Sequence, residues 1–105
     1  MAMDKRLKEI TEILSSHRGK GNEITSACIA KMIGIDEDDT HAQTRALIKQ
    51  AAEAFNLPLS SNRNGYFIMT SEAELDSYMS NLDSRIRGIE DRKRTMRENF
   101  RKANK

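Results

Sequence analysis

Tryptophan is absent, aromatic residues amount to 5% of the chain, and one cysteine and one proline occur among 105 residues. At this length, with few large side chains, one globular domain with a modest core is expected. The lone thiol, Cys28, cannot close a disulfide within the chain. It lies in an apolar helical pattern and is expected to be buried and structural rather than reactive. No run approaches the ~20 apolar residues that span a bilayer, so no membrane partner is expected. The opening MDKRLKEI is charged, which does not fit a signal peptide and points to the cytoplasm.

Chemistry-bearing motifs are also missing. His17 and His41 have no companion Cys or carboxylate at a metal-ligand spacing, which argues against zinc. Gly19-Lys20-Gly21 lacks the GxxxxGK[ST] spacing of a phosphate loop and reads as an interhelical hinge. No Ser, Thr or Cys sits in a nucleophile motif. No cofactor, no metal and no enzymatic activity are expected.

What is present is a seven-residue repeat. Leu75, Leu82, Ile89 and Met96 form one series, and Met79, Ile86, Lys93 and Phe100 form a second, set four residues after the first. Such a recurrence makes a narrow apolar seam on an otherwise solvated helix. Between Ser71 and Ala103 there is no proline and the only glycine is Gly88, so a helix of roughly 33 residues and about 50 Å is expected. The chain accordingly divides into residues 1–70 and a C-terminal coiled-coil helix, 71–105, whose eight seam residues are expected to join two copies as a homodimer. Lys93 at a seam position would fix alignment at some cost in stability.

The charge is uneven. Residues 1–84 carry 9 Lys+Arg against 13 Asp+Glu, a net of −4, whereas residues 85–105 carry 9 against 3, a net of +6. A basic stretch of this density holds phosphates by releasing their counterions, or else solubilises a coiled coil.

In the first seventy residues, Leu7, Ile10, Ile13 and Leu14 predict an amphipathic helix between Asp4 and Ser16, ending before a flexible Arg18–Asn22. Thr25 or Ser26 would cap a second helix with Cys28, Ile29, Met32 and Ile33 inward, stopped by Gly34. The acidic run Asp36-Glu37-Asp38-Asp39 favours a helix start, since carboxylates there meet the positive end of the helix dipole. A third helix is expected from Asp39 or Thr40 to Phe55, with Thr44, Leu47, Ile48, Ala51 and Phe55 facing the core. Its outer surface carries Ala42, Gln43, Ala46, Lys49, Gln50 and Glu53, with Arg45 at the border. Small residues permit close approach, and glutamine can bond adenine edges in a major groove. Two short apolar runs then flank Asn62-Arg63-Asn64-Gly65, a hairpin signal ending in Asn-Gly. Pro58 suits a strand start or edge.

The expected fold is thus mainly α with a small β-hairpin, in the element order of a winged helix-turn-helix. Glu23–Ile35, EITSACIAKMIGI, resembles the second helix and turn of the biotin-operon-repressor type of winged helix. Leu57–Met69, LPLSSNRNGYFIM, resembles its wing, where a Gly-Tyr pair opens the return strand. The chain is similar to small helix-turn-helix proteins of phages and prophages that append a long charged helix. That resemblance implies binding to double-stranded DNA, in a regulator or accessory factor, with Gln43, Arg45, Lys49 and Gln50 on the recognition helix and Asn62, Arg63 and Asn64 at the wing. The acidic run departs from the family, whose turn at this point is short and polar or basic. Carboxylates at the mouth of a recognition helix repel phosphates within a Debye length of about 8 Å. They favour an alternative, a protein-protein adaptor or assembly factor that binds a partner through the long helix.

Overall fold

The computed structural model describes residues 2–105, with side chains from Lys5 onward. The chain is mainly helical, with four helices and one two-stranded antiparallel hairpin. Residues through Glu74 form one compact unit, and Leu75–Lys105 form a second.

The first helix, α1, covers Ala2–Ser15. Its apolar spacing puts Leu7, Ile10 and Leu14 in the core, with Ile13 packed at the core's edge. Thr25 then caps α2, Ser26–Ile33, its Oγ1 accepting the Cys28 N–H at 3.1 Å. Gly34 ends α2 in the left-handed conformation, φ 74°, a backbone state that glycine reaches without Cβ strain. Its N–H reaches Lys31 O while the Ile35 N–H reaches Ala30 O, a Schellman closure. That closure turns Ile35 back against the core.

The buried face of α2 is narrower than its apolar pattern predicts. Ile29 and Ala30 are buried and Ile33 is half-buried, but Met32 is 60% exposed and Cys28 is an exposed free thiol, not a buried one. Eight residues make little more than two turns, and only one side of them meets α1 and α3.

The third helix, α3, spans Ala42–Ala54, starting later than the acidic run and stopping short of Phe55. Thr44, Leu47, Ile48 and Ala51 are buried as their spacing requires. Phe55 instead is 40% exposed. The reason is local: Asn56 takes φ 55°, the Leu57 N–H returns to Ala52 O at 2.9 Å, and Leu57 packs on the core in place of Phe55.

Strands β1, Leu59–Asn62, and β2, Gly65–Ile68, pair with Leu59 opposite Ile68 and Asn62 opposite Gly65. The loop is Arg63-Asn64, and neither residue has positive φ; that falls on Gly65, φ 128°. Asn-Gly is therefore not the central pair of the turn. Gly65 is demanded by close approach, since a Cβ there would lie 2.3 Å from Ile24 O.

The close approach arises because Ile24 bridges Tyr66 with both backbone bonds, 2.9 and 2.7 Å. On the way to it, Ile68 donates to His17 O and accepts from the Gly19 N–H, each at 2.8 Å. Arg18–Asn22, expected to be flexible, is thus anchored to β2 at its start, and Ile24 beyond its end is anchored too. His17 Nδ1 lies 2.9 Å from Asn22 O, and Asn22 Nδ2 donates to Arg18 O, closing the segment on itself.

The last helix, α4, runs Glu72–Ala103, 32 residues with none buried. Ser71 Oγ caps it by accepting the Glu74 N–H at 3.2 Å. The Glu74 carboxylate in turn accepts the Lys20 and Thr70 N–H groups, both at 2.7 Å. These two bonds, that from Lys20 foremost, hold the Glu74 carboxyl below the ordinary carboxylate range. No helix among the described residues is long and apolar enough to cross a membrane.

Candidate nucleic-acid interface

The outer face of α3 is set by what its inner face buries. With Thr44, Leu47, Ile48 and Ala51 inward, a 3.6-residue period leaves Gln43, Lys49 and Gln50 on one continuous exposed surface with Ala42, Ala46 and Glu53. Arg45 is exposed at the edge of that surface. The other sequence-derived candidates, Asn62, Arg63 and Asn64, are exposed together at the hairpin end of the same compact unit.

These three are not equally free. Asn62 Nδ2 donates to Glu23 Oε2 at 2.7 Å, and Asn62 Oδ1 accepts the Asn64 N–H at 2.8 Å, so both ends of the amide serve the hairpin itself. The Asn62 bond, followed by backbone bonds that include the Gly21 N–H, holds the Glu23 carboxyl below its usual range. Arg63 has no such tie among the described residues and borders a cleft of about 240 Å³ lined also by Thr25, Ser26, Ser61 and Tyr66. The cleft is smaller than pockets that enclose drug-sized molecules, about 300–1,000 Å³.

The acidic run has a structural use that its composition does not reveal. His41, the residue before α3, sits at φ 52° and offers no side-chain cap. Glu37 supplies one from six residues upstream of Gln43: its carboxylate accepts the Gln43 N–H at 3.0 Å, the Thr44 N–H at 3.3 Å and the buried Thr44 hydroxyl. A helix start is thereby met by a negative charge, as the helix dipole favours, but from a residue outside the helix. Desolvation opposes that charge. It is outweighed by the Thr44 and Gln43 hydrogen bonds and by His41, whose Nδ1 lies 4.0 Å away, so the Glu37 pKa falls below the usual carboxylate value. Asp38 is occupied as well, accepting from the Thr40 hydroxyl and N–H, while Asp36 and Asp39 are exposed.

A carboxyl whose pKa is depressed on folding stabilises the fold above its unfolded pKa, and that contribution vanishes as pH falls through the folded one. Glu37→Gln should therefore lower the melting temperature at pH 7, and the gap to the wild type should close below the ordinary carboxylate range. Circular-dichroism melts between about pH 3 and 7 measure this. A gap that stays constant with pH would show that Glu37 contributes no charge-dependent stability.

The seam candidates all lie on α4: Leu82 is half-buried, while Leu75, Met79, Ile86, Ile89, Lys93, Met96 and Phe100 are exposed. Among the described residues no three His, Cys, Asp or Glu side chains are grouped to hold a metal. Two features essential to the site are not legible in the sequence, Glu37 as the cap of α3 and the Glu23–Asn62 tie. Neither has a local motif, since a capping box places its acidic residue three positions after the cap, inside the helix.

Fold and site together define a three-helix unit carrying a short hairpin, followed by a long, solvated helix. No family model, curated protein or solved structure matches this chain.

Proposed function

We propose that the chain is a non-enzymatic, winged helix-turn-helix protein that binds double-stranded DNA, a regulator or accessory factor of the phage or mobile-element kind, acting as a dimer. The observation that carries this reading is the surface of α3. Gln43, Lys49 and Gln50 are exposed on either side of Ala42 and Ala46, on a helix whose opposite face is fully committed to the core. Alanines admit the helix to a major groove, the glutamines suit adenine edges, and Lys49 suits a phosphate. Arg63, at the tip of a hairpin in the same unit, suits adjacent backbone or a minor groove.

Fluorescence anisotropy with duplex DNA tests the proposal. Binding should weaken steeply as salt rises, because each neutralised phosphate releases counterion. Lack of binding across a library of genomic fragments at about 50 mM salt, where the electrostatic attraction is strong, would sink it.

One observation favours a second function. Glu53 lies on the outer face of α3 and Asp36 and Asp39 are exposed ahead of it, all of which oppose phosphate. An adaptor would instead use the α4 seam to hold a partner protein. Its signature is nuclease-resistant co-purification of one partner, abolished when Leu82→Asp and Ile89→Asp place charge on the seam.

A further inference from the structure

The positive charge of this chain is confined to its last fourteen residues. Residues 92–105 carry 7 Lys+Arg against 1 Asp+Glu, a net of +6, while residues 1–91 carry 11 against 15, a net of −4. Within α4 itself, residues 92–102 hold 6 against 1, a net of +5. Spread over about 16 Å of helix, that is one positive charge per roughly 3.3 Å. One strand of a DNA duplex presents a phosphate about every 3.4 Å along its axis.

Two ordinary uses of helix charge explain only part of this. Cations in the last turn meet the negative end of the helix dipole, but that effect fades within a turn and covers only Arg101 and Lys102. Ion pairs along a helix surface stabilise it, yet among the described residues the one pair on α4 joins Arg94 to Asp91, 3.1 Å apart, with side chains 67% and 66% exposed. A pair so exposed is worth little and is readily exchanged for another anion.

Arg94, Arg97 and Arg101 stand at i, i+3 and i+7, so they share one face of α4, and none belongs to either seam series. All three are exposed. Like charges at these spacings repel along a helix, and an anion lying along the face removes that repulsion. The planar guanidinium fork matches phosphate oxygens in pairs, which a lysine ammonium does not.

We propose that Arg94, Arg97 and Arg101 form a second contact for the phosphate backbone of duplex DNA, one that adds affinity without reading sequence. The stripe shares its ligand with the function proposed above but none of its residues. An anionic lipid surface presents phosphate too, but a helix lying on it sinks a continuous apolar face, and Lys93 interrupts the apolar series of α4.

Fluorescence anisotropy of the full chain with a duplex of arbitrary sequence, titrated with salt, tests this. Arg94→Gln, Arg97→Gln and Arg101→Gln together remove the charge and keep a good helix former at each position. The slope of log affinity against log salt should become shallower by about 2.7, close to 0.9 for each phosphate left without its cation. Because the counterion term fades toward 1 M salt, affinity near 0.1 M should fall on the order of 100-fold. Arg94→Lys, Arg97→Lys and Arg101→Lys together keep the charge and should keep the wild-type slope. A glutamine variant with the wild-type slope, a lysine variant as weak as the glutamine one, or a glutamine variant that loses only binding to phosphatidylcholine–phosphatidylserine vesicles each overturns the proposal. The Lys49→Ala/Arg63→Ala protein, titrated beside them, keeps the two readings apart. Loss of slope in that protein but not in the glutamine variant condemns the stripe alone, and the reverse condemns the α3 surface alone.

Discussion

Gly65→Ala should cost this fold about 3 kcal/mol or more, through overpacking and a left-handed backbone that alanine resists. The new methyl carbon would fall 2.3 Å from Ile24 O, 2.5 Å from Ile24 C and 2.9 Å from the Thr25 N atom. All three are backbone atoms, so no side chain can swing aside. Either β2 withdraws, breaking both Ile24–Tyr66 hydrogen bonds, or Ile24 moves and disturbs Thr25, the cap of α2. Ile24 and Ile68 belong to the core, which the displacement would open to water. Domains of this size are stable by only about 5–15 kcal/mol, so the melting temperature should drop by more than about 10 °C. Amide exchange at Ile24 and Tyr66 should accelerate first. Gly88→Ala is the control: apart from the adjoining backbone of its own helix nothing lies within 4 Å of a Cβ there, and in the middle of α4 alanine should stabilise the helix by roughly 0.5–1 kcal/mol. A Gly65→Ala protein with the wild-type melting temperature and protected Ile24 and Tyr66 amides would refute the account of the hairpin.

The second large effect is on DNA. Lys49→Ala combined with Arg63→Ala should weaken duplex binding roughly 100-fold or more near physiological salt, taking about 1.5–3 kcal/mol for each hydrogen bond to a charged group. The slope of log affinity against log salt should become shallower by about 2, close to one unit for each phosphate left without its cation. Both side chains are exposed and neither has a hydrogen-bond partner among the described residues, so the fold itself should be unaffected. Gln43→Ala and Gln50→Ala should do something different, leaving the slope alone and relaxing preference at individual base pairs by about 1–3 kcal/mol each. If the Lys49/Arg63 double variant kept the wild-type slope, α3 and the hairpin would not be the DNA-facing surface. Binding would then have to come from elsewhere, with the basic residues 85–105 the first place to look.

The sequence by itself determined what short-range backbone geometry can carry. Leu7, Ile10 and Leu14 had to share a helix face, as did Thr44, Leu47, Ile48 and Ala51, because 3.6 residues make a turn wherever the helix sits. Thr25 as a cap, Gly34 as a stop and two strands around residues 62–65 belong to the same category, each set by its immediate neighbours. The exposed surface of α3 follows from its buried one, so Gln43, Lys49 and Gln50 are legible in the residue order alone.

Tertiary structure decided whatever depends on atoms far apart in the chain. Glu74 reaches Lys20 across 54 positions and Asn62 reaches Glu23 across 39, and no spacing rule anticipates either bond. The segment 18–22 reads as flexible because glycine and charge resist local order, yet β2 supplies the missing partners for its backbone. Cys28, Met32 and Phe55 lie outside the core that their spacing predicts, because periodicity identifies which residues can face inward while burial depends on whether another element arrives to cover them. The same limit explains Glu37: helix dipoles attract carboxylates in general, but which carboxylate reaches Thr44 is settled by how the intervening turn folds.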